Sequence, residues 1–166
     1  LPQEIIELPI IRALVDAGHL LVVAGGGGIP VVRDAAGIIR GIEAVIDKDR
    51  TSALLAANLT ADLLAILTNV DQVQCDFGKP TARPIDQMTT AEALAMLQQG
   101  QFSPGSMRPK IEAAIAYLNR SKCANAEVLI TSCERAGDGL AGKTGTRIVP
   151  RSSADPSAQT KLKEMP

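Results

Sequence analysis

The chain has 166 residues, of which 46% are hydrophobic, so it can form the core of one domain or of part of one, but not clearly of two. Its formal net charge is −1, and neither sign forms a long run, which disfavours a nucleic-acid or membrane surface. The aromatic content of 2% also argues against stacking platforms for bases. No apolar stretch has the length of a membrane span, and no basic region precedes an apolar signal core, so the expected location is the cytoplasm.

The side chains that most often carry catalysis or bind metals are scarce. Cys75, Cys123 and Cys133 are an odd number and include no C-x-x-C pair, so we expect reduced thiols rather than disulfides or a zinc cluster. His19 is the only histidine, and its position after a helix end favours a structural or exposed role. Without a histidine-assisted nucleophile, any chemistry must use lysine, aspartate and backbone groups.

The first part of the chain predicts a helix, a buried strand and a hairpin. The helix begins with a proline and ends at Gly18, and the continuous apolar run after it is typical of a fully buried strand. A four-glycine loop follows, and two short apolar runs then flank a turn sequence. The predicted ranges are 9–17 for the helix, 20–24 for the strand, and 31–33 with 38–43 for the hairpin around the turn 34–37.

Helices and strands alternate along the rest of the chain, which indicates α/β layers with a mainly parallel sheet. Ligands in such folds collect where strands end and loops enter helices. A capping-box sequence, Thr89 to Glu92, marks one helix start. The predicted helices are 50–59, 90–100 and 109–119, the predicted strands are 63–67 (buried), one near Val73, 128–130 and 147–149, and the tail 151–166 is expected to be disordered.

Lys110 lies in the first turn of a predicted helix, where helix propensities least favour a cation. Pro109 suits the first helical position, and apolar residues then recur at helical spacing. The lysine therefore sits beside the positive pole of its own helix dipole, at a cost of up to roughly 1 kcal/mol unless something anionic shares the site. A phosphate is the natural candidate, and a solvated lysine after a loop is the alternative.

The four glycines Gly25, Gly26, Gly27 and Gly28 could cradle an anion, because no Cβ would keep oxygens from their N–H groups. They match neither G-x-G-x-x-G nor the Walker A sequence. A flexible turn is the alternative, but four adjacent glycines lose much conformational entropy on ordering, so a tight backbone approach is the better interpretation. The later run 142–146 is a weaker signal, compatible with a hairpin turn or a ligand loop.

Asp47, Lys48 and Asp49 place a cation between two carboxylates at a helix entrance. They are either an ordinary N-cap with a solvated lysine, or a site in which Lys48 meets phosphate oxygens while Asp49 holds one or more lysines in position. Such a constellation suits phosphoryl transfer, where positioning and charge neutralisation need no covalent protein nucleophile.

Taken in order, six segments of the chain closely resemble carbamate kinase, and the resemblance covers roughly residues 1–150. The segments are GGGGIP at 25–30, EAVIDKD at 43–49, ILTNVD at 66–71, FGKP at 77–80, FSPGSMRPK at 102–110 and GKTGTRI at 142–148. They correspond to the C-terminal half of the family's chain.

This resemblance implies an incomplete three-layer α/β sandwich with an open, mainly parallel sheet, the amino-acid-kinase fold. It also implies the reversible reaction of Mg-ADP and carbamoyl phosphate to give Mg-ATP and carbamate, in a cytoplasmic homodimer, with Mg²⁺ as cofactor and no nucleic-acid or membrane partner. The half present looks like the nucleotide-binding part, 1–150. The family's first glycine loop and another phosphate-contacting lysine belong to the other half, so this chain is expected to be a fragment whose activity needs the complete protein.

By motif match, Lys110 would contact the transferring phosphoryl group, Lys48 the nucleotide phosphates, and Asp49 would organise the lysines. The glycines Gly25, Gly26, Gly27 and Gly28 would lie near the carbamate or the transferred group. The nucleotide site would be lined by Thr68, Asn69, Val70, Asp71, Phe77, Ser106, Met107 and Pro109. Two departures from the family pattern imply weaker nucleotide binding: Asn69 replaces a usual aspartate, and Phe77 is the one aromatic of an often tyrosine-rich segment.

Two alternatives remain open at this point. One is an inert or regulatory nucleotide-binding module of the same fold, and the other is an amino-acid kinase that acts on an acyl or amino-acid substrate. The physiological role would be either ATP synthesis in arginine metabolism or carbamoyl phosphate supply. A Lys110→Ala variant is expected to abolish turnover and to leave the fold intact, because an early-turn lysine is a cost to the helix in the absence of an anion.

Overall fold

The computed structural model describes residues 1–150. Its helices are α1 (Leu8–Asp16), α2 (Lys48–Leu59), α3 (Thr90–Gln98), α4 (Met107–Arg120) and α5 (Ala136–Leu140). Its strands are β1 (Val31–Arg33), β2 (Ile39–Gly41), β3 (Leu63–Thr68), β4 (Gln74–Cys75), β5 (Arg83–Pro84), β6 (Gln87–Thr89), β7 (Glu127–Ser132) and β8 (Thr146–Val149).

The largest sheet has four strands in the order β3-β7-β8-β6. β3 and β7 are parallel and in register from the Leu63–Glu127 pair to the Thr68–Ser132 pair, and β6 is parallel to β8. β7 and β8 are antiparallel. The mainly parallel sheet is therefore confirmed, while the antiparallel pair was not predicted, because the order of elements along a chain does not fix strand direction.

Helices cover both faces of this sheet. Val128, Ile130 and Ile148 are fully buried in the core cluster that includes residues of α2, α3 and α4. The intervening side chains of β7 point to the other face. There α5 packs closely, because a Cβ on Gly139 would lie 3.0 Å from Thr131 Cγ2. The layered α/β architecture is confirmed.

Local sequence signals explain how α2 and α3 begin. The side chain of Asp47 accepts hydrogen bonds from the backbone N–H groups of Asp49 and Arg50, which satisfies two of the free donors at the start of α2. Thr89 caps α3 and shares a capping box with Glu92, as the sequence predicted. Both helices begin within two residues of their predicted starts.

The predicted hairpin is also confirmed. β1 and β2 pair antiparallel around the turn 34–37. Asp34 organises the turn, because its carboxylate accepts hydrogen bonds from the N–H groups of Ala36 and Ile38 and from Arg40 Nε. The Arg40 hydrogen bond is the main reason that the pKa of this carboxyl lies below its ordinary value.

The predicted buried strand over 20–24 is wrong. Leu20 and Val22 are each 99% exposed, and none of the three sheets within residues 1–150 includes this segment. A strand is stable only when a neighbouring strand pairs with it and another layer covers its apolar face. An apolar run predicts a buried strand only where such partners exist, and segment 20–24 pairs with no strand among the described residues.

The strand predicted over 63–67 is present as β3, but it is not fully buried. Leu64 and Ile66 lie in the core, whereas Leu67 is 46% exposed and β3 forms an edge of the four-stranded sheet. The excursion after β3 contains the small antiparallel pair β4–β5 beside the buried Val73. The sequence analysis missed β5, β6 and α5 because all three are short, and α5 contains two glycines.

The structure also bears on the expectations for the cysteines, His19 and membrane-spanning segments. The three cysteines are free thiols, and His19 is exposed, both as predicted. Within residues 1–150, no helix is long and apolar enough to span a membrane. The tail 151–166, expected to be disordered, lies outside the described residues.

Candidate functional site

The N-terminal turns of α2 and α4 meet at a buried ion pair. Lys110 Nζ lies 2.8 Å from Asp49 Oδ2, and the two residues are only 9% and 8% exposed. Asp49 is the second residue of α2 and Lys110 the fourth of α4. The pairing of these two helices brings together residues 61 positions apart in sequence. The structure therefore joins the two side chains that the sequence singled out independently.

The ion pair with Asp49 offsets the unfavourable position of Lys110 at the start of its helix. A cation in the first turn of a helix opposes the dipole, while a carboxylate in the first turn favours it. Asp49 stabilises its own helix and supplies Lys110 with an anionic partner. Pro109 is the third helical residue rather than the first, since α4 begins at Met107. A proline is tolerated there, because the first-turn N–H groups have no partner within the helix.

Lys48 lies apart from this pair. It is exposed and forms none of the ion pairs that the structure shows among residues 1–150. The three adjacent residues thus differ in their surroundings: Asp47 caps α2, Lys48 faces solvent and Asp49 holds Lys110. Asp49 organises one lysine in the structure, and a role for Lys48 toward nucleotide phosphates stays a prediction.

The four-glycine loop is fastened to the start of α2 through one of its members. The buried Thr51 hydroxyl donates a 2.7 Å hydrogen bond to the Gly27 carbonyl. Gly27 has a φ of 138°, and a Cβ there would overlap the Ile46 carbonyl oxygen. The tight backbone approach expected for the glycines therefore exists at Gly27, and its partner is the chain itself. At the other three glycines, a Cβ would meet no atom within 4 Å.

A second candidate region is a cavity of about 200 Å³ next to the start of α4. Six of the predicted nucleotide residues line it: Thr68, Asn69, Val70, Phe77, Ser106 and Met107. Asp71, Pro109 and Lys48, also predicted there, are not among its lining residues. The sequence analysis missed the lining residues Gln72, Gln74, Gln101, Phe102 and Ser103. Phe102 and Ser103 lie inside a matched motif, which was the available signal.

Asp71 has a partner outside this cavity. The Ser132 hydroxyl, at the end of β7, donates a 2.6 Å hydrogen bond to Asp71 Oδ1. Ser132 also accepts a hydrogen bond from the N–H of Arg135. Asp71 thereby ties the loop after β3 to the loop after β7, at the carboxyl ends of two parallel strands where α/β folds place ligands.

The segment 142–146 connects α5 to β8 and is not a hairpin turn. Thr146 fastens it to the excursion, since its hydroxyl donates to the Ile85 carbonyl at 2.6 Å and accepts from the Val73 N–H at 2.8 Å. Gln72 adds a bond to the Gly145 carbonyl. These contacts give the segment a structural role, and one of them comes from Gln72, which lines the 200 Å³ cavity. Its use as a ligand loop stays a prediction.

Tyr117 fixes α4 from its buried face. The side chain is fully buried, and its hydroxyl donates a hydrogen bond to the Ala61 carbonyl between α2 and β3. Burial raises the pKa of this phenol above its ordinary value. α4 is therefore held to α2 and its following loop at both Lys110 and Tyr117.

The sequence of this chain is similar to those of amino acid kinases, and of carbamate kinases among them. The model of the amino acid kinase family matches residues 2–132. The carbamate kinase of Staphylococcus haemolyticus is 47% identical over 148 residues, which are 89% of this chain and 47% of that protein. The carbamate kinase-like protein YahI of Escherichia coli is 45% identical over 148 residues, 89% of this chain and 46% of its own.

A solved structure is similar over the same range. The carbamate kinase from Giardia lamblia bound to AMP-PNP superposes with a TM-score of 0.85 at 40% identity, covering 90% of this chain and 46% of that chain. The chain thus spans about half the length of the relatives it matches. A family match over most of the sequence, together with the shared fold, shows that this chain belongs to the amino acid kinase family.

Proposed function

We propose that this chain forms the nucleotide-binding half of a carbamate kinase, an enzyme that reversibly transfers a phosphoryl group from carbamoyl phosphate to Mg-ADP. The observation that carries the proposal is the buried pair of Lys110 and Asp49 at the joined N-terminal turns of two helices. The 47% identity to a carbamate kinase favours carbamate over other acceptors.

In this proposal Lys110 neutralises charge on the transferring phosphoryl group. Phosphoryl transfer spreads negative charge over the equatorial oxygens, and a fixed cation in a site that excludes water stabilises that charge. Asp49 holds the ammonium group 2.8 Å from its carboxylate, so no reorganisation is needed when the substrates arrive.

The nucleotide would enter through the 200 Å³ cavity. This volume is below the range of about 300–1,000 Å³ typical of whole-ligand sites, so the cavity suits one part of the nucleotide, such as its base. Phe77, 63% exposed, offers a ring for stacking at the cavity wall. The phosphates would then extend toward Lys48 and Lys110, with carbamate near the glycine loop.

Mg²⁺ would come with the nucleotide as part of the substrate. Among residues 1–150, no group of three or more His, Cys, Asp or Glu side chains could hold a metal ion. Magnesium needs no such cage, because it commonly binds through substrate phosphates, a few waters and one or two carboxylates. When bound, it would neutralise phosphate charge alongside Lys110.

The decisive experiment compares two proteins. Purified chain is mixed with Mg-ADP and carbamoyl phosphate, and ATP formation is followed. The same assay is run on an extended chain, in which the N-terminal half of the Staphylococcus haemolyticus carbamate kinase precedes residue 1. We expect ATP from the extended chain and little or none from the chain by itself, because losing one phosphate-contacting group typically costs about 10²-fold or more.

Lys110→Arg is the variant of choice for this assay. A Lys110→Ala change would leave Asp49 buried without its partner Lys110, which typically destabilises a protein by about 3–5 kcal/mol. The observed ion pair therefore contradicts the expectation that this variant keeps its fold intact. Arginine keeps the charge for Asp49 but differs from an ammonium in shape and donor geometry. We expect an extended chain with Lys110→Arg to remain folded and to lose roughly 10²-fold in kcat.

The outcomes separate the alternatives. A folded extended chain that binds Mg-ADP and makes no ATP from carbamoyl phosphate would refute the kinase proposal and favour an inert nucleotide-binding module. ATP formation from another acyl phosphate, with none from carbamoyl phosphate, would favour a different acceptor.

The proposal extends to the setting of the complete protein. We infer a homodimer in the cytoplasm, working in arginine metabolism either to make ATP or to supply carbamoyl phosphate. Support comes from the similarity to carbamate kinases. Light scattering on the extended chain tests the oligomeric state, and a monomer at assay concentration would contradict it.

A further inference from the structure

A three-residue ion cluster lies beside the Lys110–Asp49 pair and joins the same two helices. Glu112 uses both carboxylate oxygens: Oε2 accepts from Arg50 Nη2 of α2, and Oε1 accepts from Arg108 Nε of α4, each at 2.9 Å. Arg50 follows Asp49 directly, and Glu112 lies two residues after Lys110. α2 and α4 are therefore linked by two ion pairs within their first two turns.

The two links have opposite polarity. At Asp49–Lys110 the acid belongs to α2 and the base to α4, whereas at Arg50–Glu112 the base belongs to α2 and the acid to α4. The partners cannot be exchanged, because that would set Lys110 against Arg50 and Glu112 against Asp49. Such like-charge contacts are unfavourable, so both pairs can form together only when the helices keep their observed register.

The exposed fractions of these three side chains indicate that the cluster affects the register of α4 on α2 more than the free energy of unfolding. The side chains of Arg50, Arg108 and Glu112 are 36%, 50% and 31% exposed. Ion pairs this accessible to water contribute little to the free energy of unfolding. A carboxylate with both oxygens occupied by guanidinium groups from two helices nevertheless has a fixed direction.

We infer that Glu112 is a positioning residue, which holds α4 in register on α2 through Arg50 and thereby keeps the Lys110 ammonium group aligned on Asp49. The inference rests on the proposed function, in which that ammonium group meets the transferring phosphoryl group. Displacing a charge-stabilising group by about 1 Å can cost up to roughly 10²-fold in rate. Glu112 itself touches neither substrate nor nucleotide in this account.

The first test measures Lys110 directly and needs no activity. The chain is labelled with ¹⁵N-lysine, and the order parameter of the Lys110 Nζ signal is compared between the parent and Glu112→Gln. We expect the order parameter to fall below about 0.6, the range of flexible groups, while Tm changes by no more than about 4 °C. An unchanged Lys110 signal in a folded Glu112→Gln variant overturns the inference.

Two arginine variants separate the link between helices from the link within α4. Arg50→Gln removes the partner on α2, whereas Arg108→Gln removes only the i,i+4 partner on α4. We expect Arg50→Gln to loosen Lys110 as much as Glu112→Gln does, and Arg108→Gln to loosen it less. If Arg108→Gln has the larger effect, the bridge to α2 is not what positions Lys110, and the inference is wrong.

Asp138→Asn is the matched control. Asp138 is also a carboxylate between two cations, Arg135 at 3.0 Å and Lys143 at 3.7 Å, but it lies on α5. Its loss should leave the Lys110 signal unchanged. An equal loosening in Asp138→Asn would show a general effect of lost surface charge and would overturn the inference.

The kinetic test uses the extended chain. Glu112→Gln should lower kcat roughly 10- to 100-fold and leave KM for Mg-ADP nearly unchanged, because the cavity residues are untouched. A loosened Lys110 in an extended chain whose parent makes no ATP would refute the proposed function and leave the positioning inference standing. A loosened Lys110 with normal kcat would overturn the catalytic part of the inference.

Discussion

Residues 1–46 and residues 47–150 have comparably apolar segments but bury them very differently. In the first region only Ile11 and Gly27 are buried, and Leu20 and Val22 are almost fully exposed. In the second region, helices cover both faces of a four-stranded sheet, and β7 is buried along nearly its whole length. An apolar segment is stabilised by partner elements, and its own sequence does not guarantee them.

Four measurements test this contrast, and the largest effect is expected in a comparison of two leucines. Leu129, in β7, is fully buried, whereas Leu20 is 99% exposed. We expect Leu129→Ala to lower the free energy of unfolding by about 2–5 kcal/mol and Leu20→Ala to change it by less than about 0.5 kcal/mol. Urea denaturation followed by circular dichroism measures both.

If Leu20→Ala proved as costly as Leu129→Ala, the run 20–24 would be packed in solution and the contrast between the two regions would be incorrect. Equal m-values for the parent and both variants serve as the control, because a changed m-value would mean that the denatured state had changed as well.

The second prediction concerns the one glycine that fastens the first region to the second. Gly27→Ala places a Cβ against the Ile46 carbonyl and forces a non-glycine residue into a φ of 138°. We expect a loss of about 1–3 kcal/mol, together with faster hydrogen exchange at the start of α2. Gly26→Ala is the control, since a Cβ there meets nothing within 4 Å. Equal stability of the two variants would show that Gly27 is free to move.

The third prediction tests whether an element of the second region is stabilised locally. Thr89→Ala removes the side-chain cap of α3 and should cost typically about 1 kcal/mol. Glu92→Gln should cost less, because glutamine can also complete a capping box. Thermal unfolding compares the two. A Thr89→Ala variant as stable as the parent would mean that packing alone defines the start of α3.

The fourth and smallest effect concerns the hairpin, the part of the first region that is stabilised by its own hydrogen bonds. The pKa of Asp34 is lowered in the folded chain, mainly by Arg40. Its contribution to stability is therefore present above the ordinary pKa of 3.8 and is lost as the pH falls through the lowered folded value. NMR titration should show the β1–β2 amides changing at this lower pH, and Asp34→Asn should abolish that step. A step at the ordinary pKa would contradict the assigned cause.

Much of the second region could be predicted from sequence because its signals are local. Asp47 and Thr89 cap their helices wherever those helices pack, and the turn around Asp34 is equally local. The run 20–24 was mispredicted because burial depends on what lies beside a segment. α5 was missed because five residues with two glycines carry almost no helical signal.

In the candidate site, too, local features could be predicted from the sequence, whereas contacts between distant residues could not. Sequence spacing placed Lys110 and Asp49 at helix starts, and both the charge pattern and the family resemblance suggested that Asp49 holds lysines in position. Only the packing of α2 on α4 could show that they pair directly and that Lys48 does not join them. The cluster around Glu112 carries no motif at all, because its partners come from residues 62 positions apart and four apart.

Tyr117 gives this chain an optical reporter of its own. It is the single tyrosine, and there is no tryptophan, so near-ultraviolet absorbance and intrinsic emission come largely from one phenol bonded to the Ala61 carbonyl. Because burial raises its pKa above 10.0, the stability it contributes is complete below that pH and is lost as the pH rises through the raised value. Tyrosinate absorbance in an alkaline titration therefore reports on the contact between the Tyr117 hydroxyl and the loop after α2, without any label or added dye.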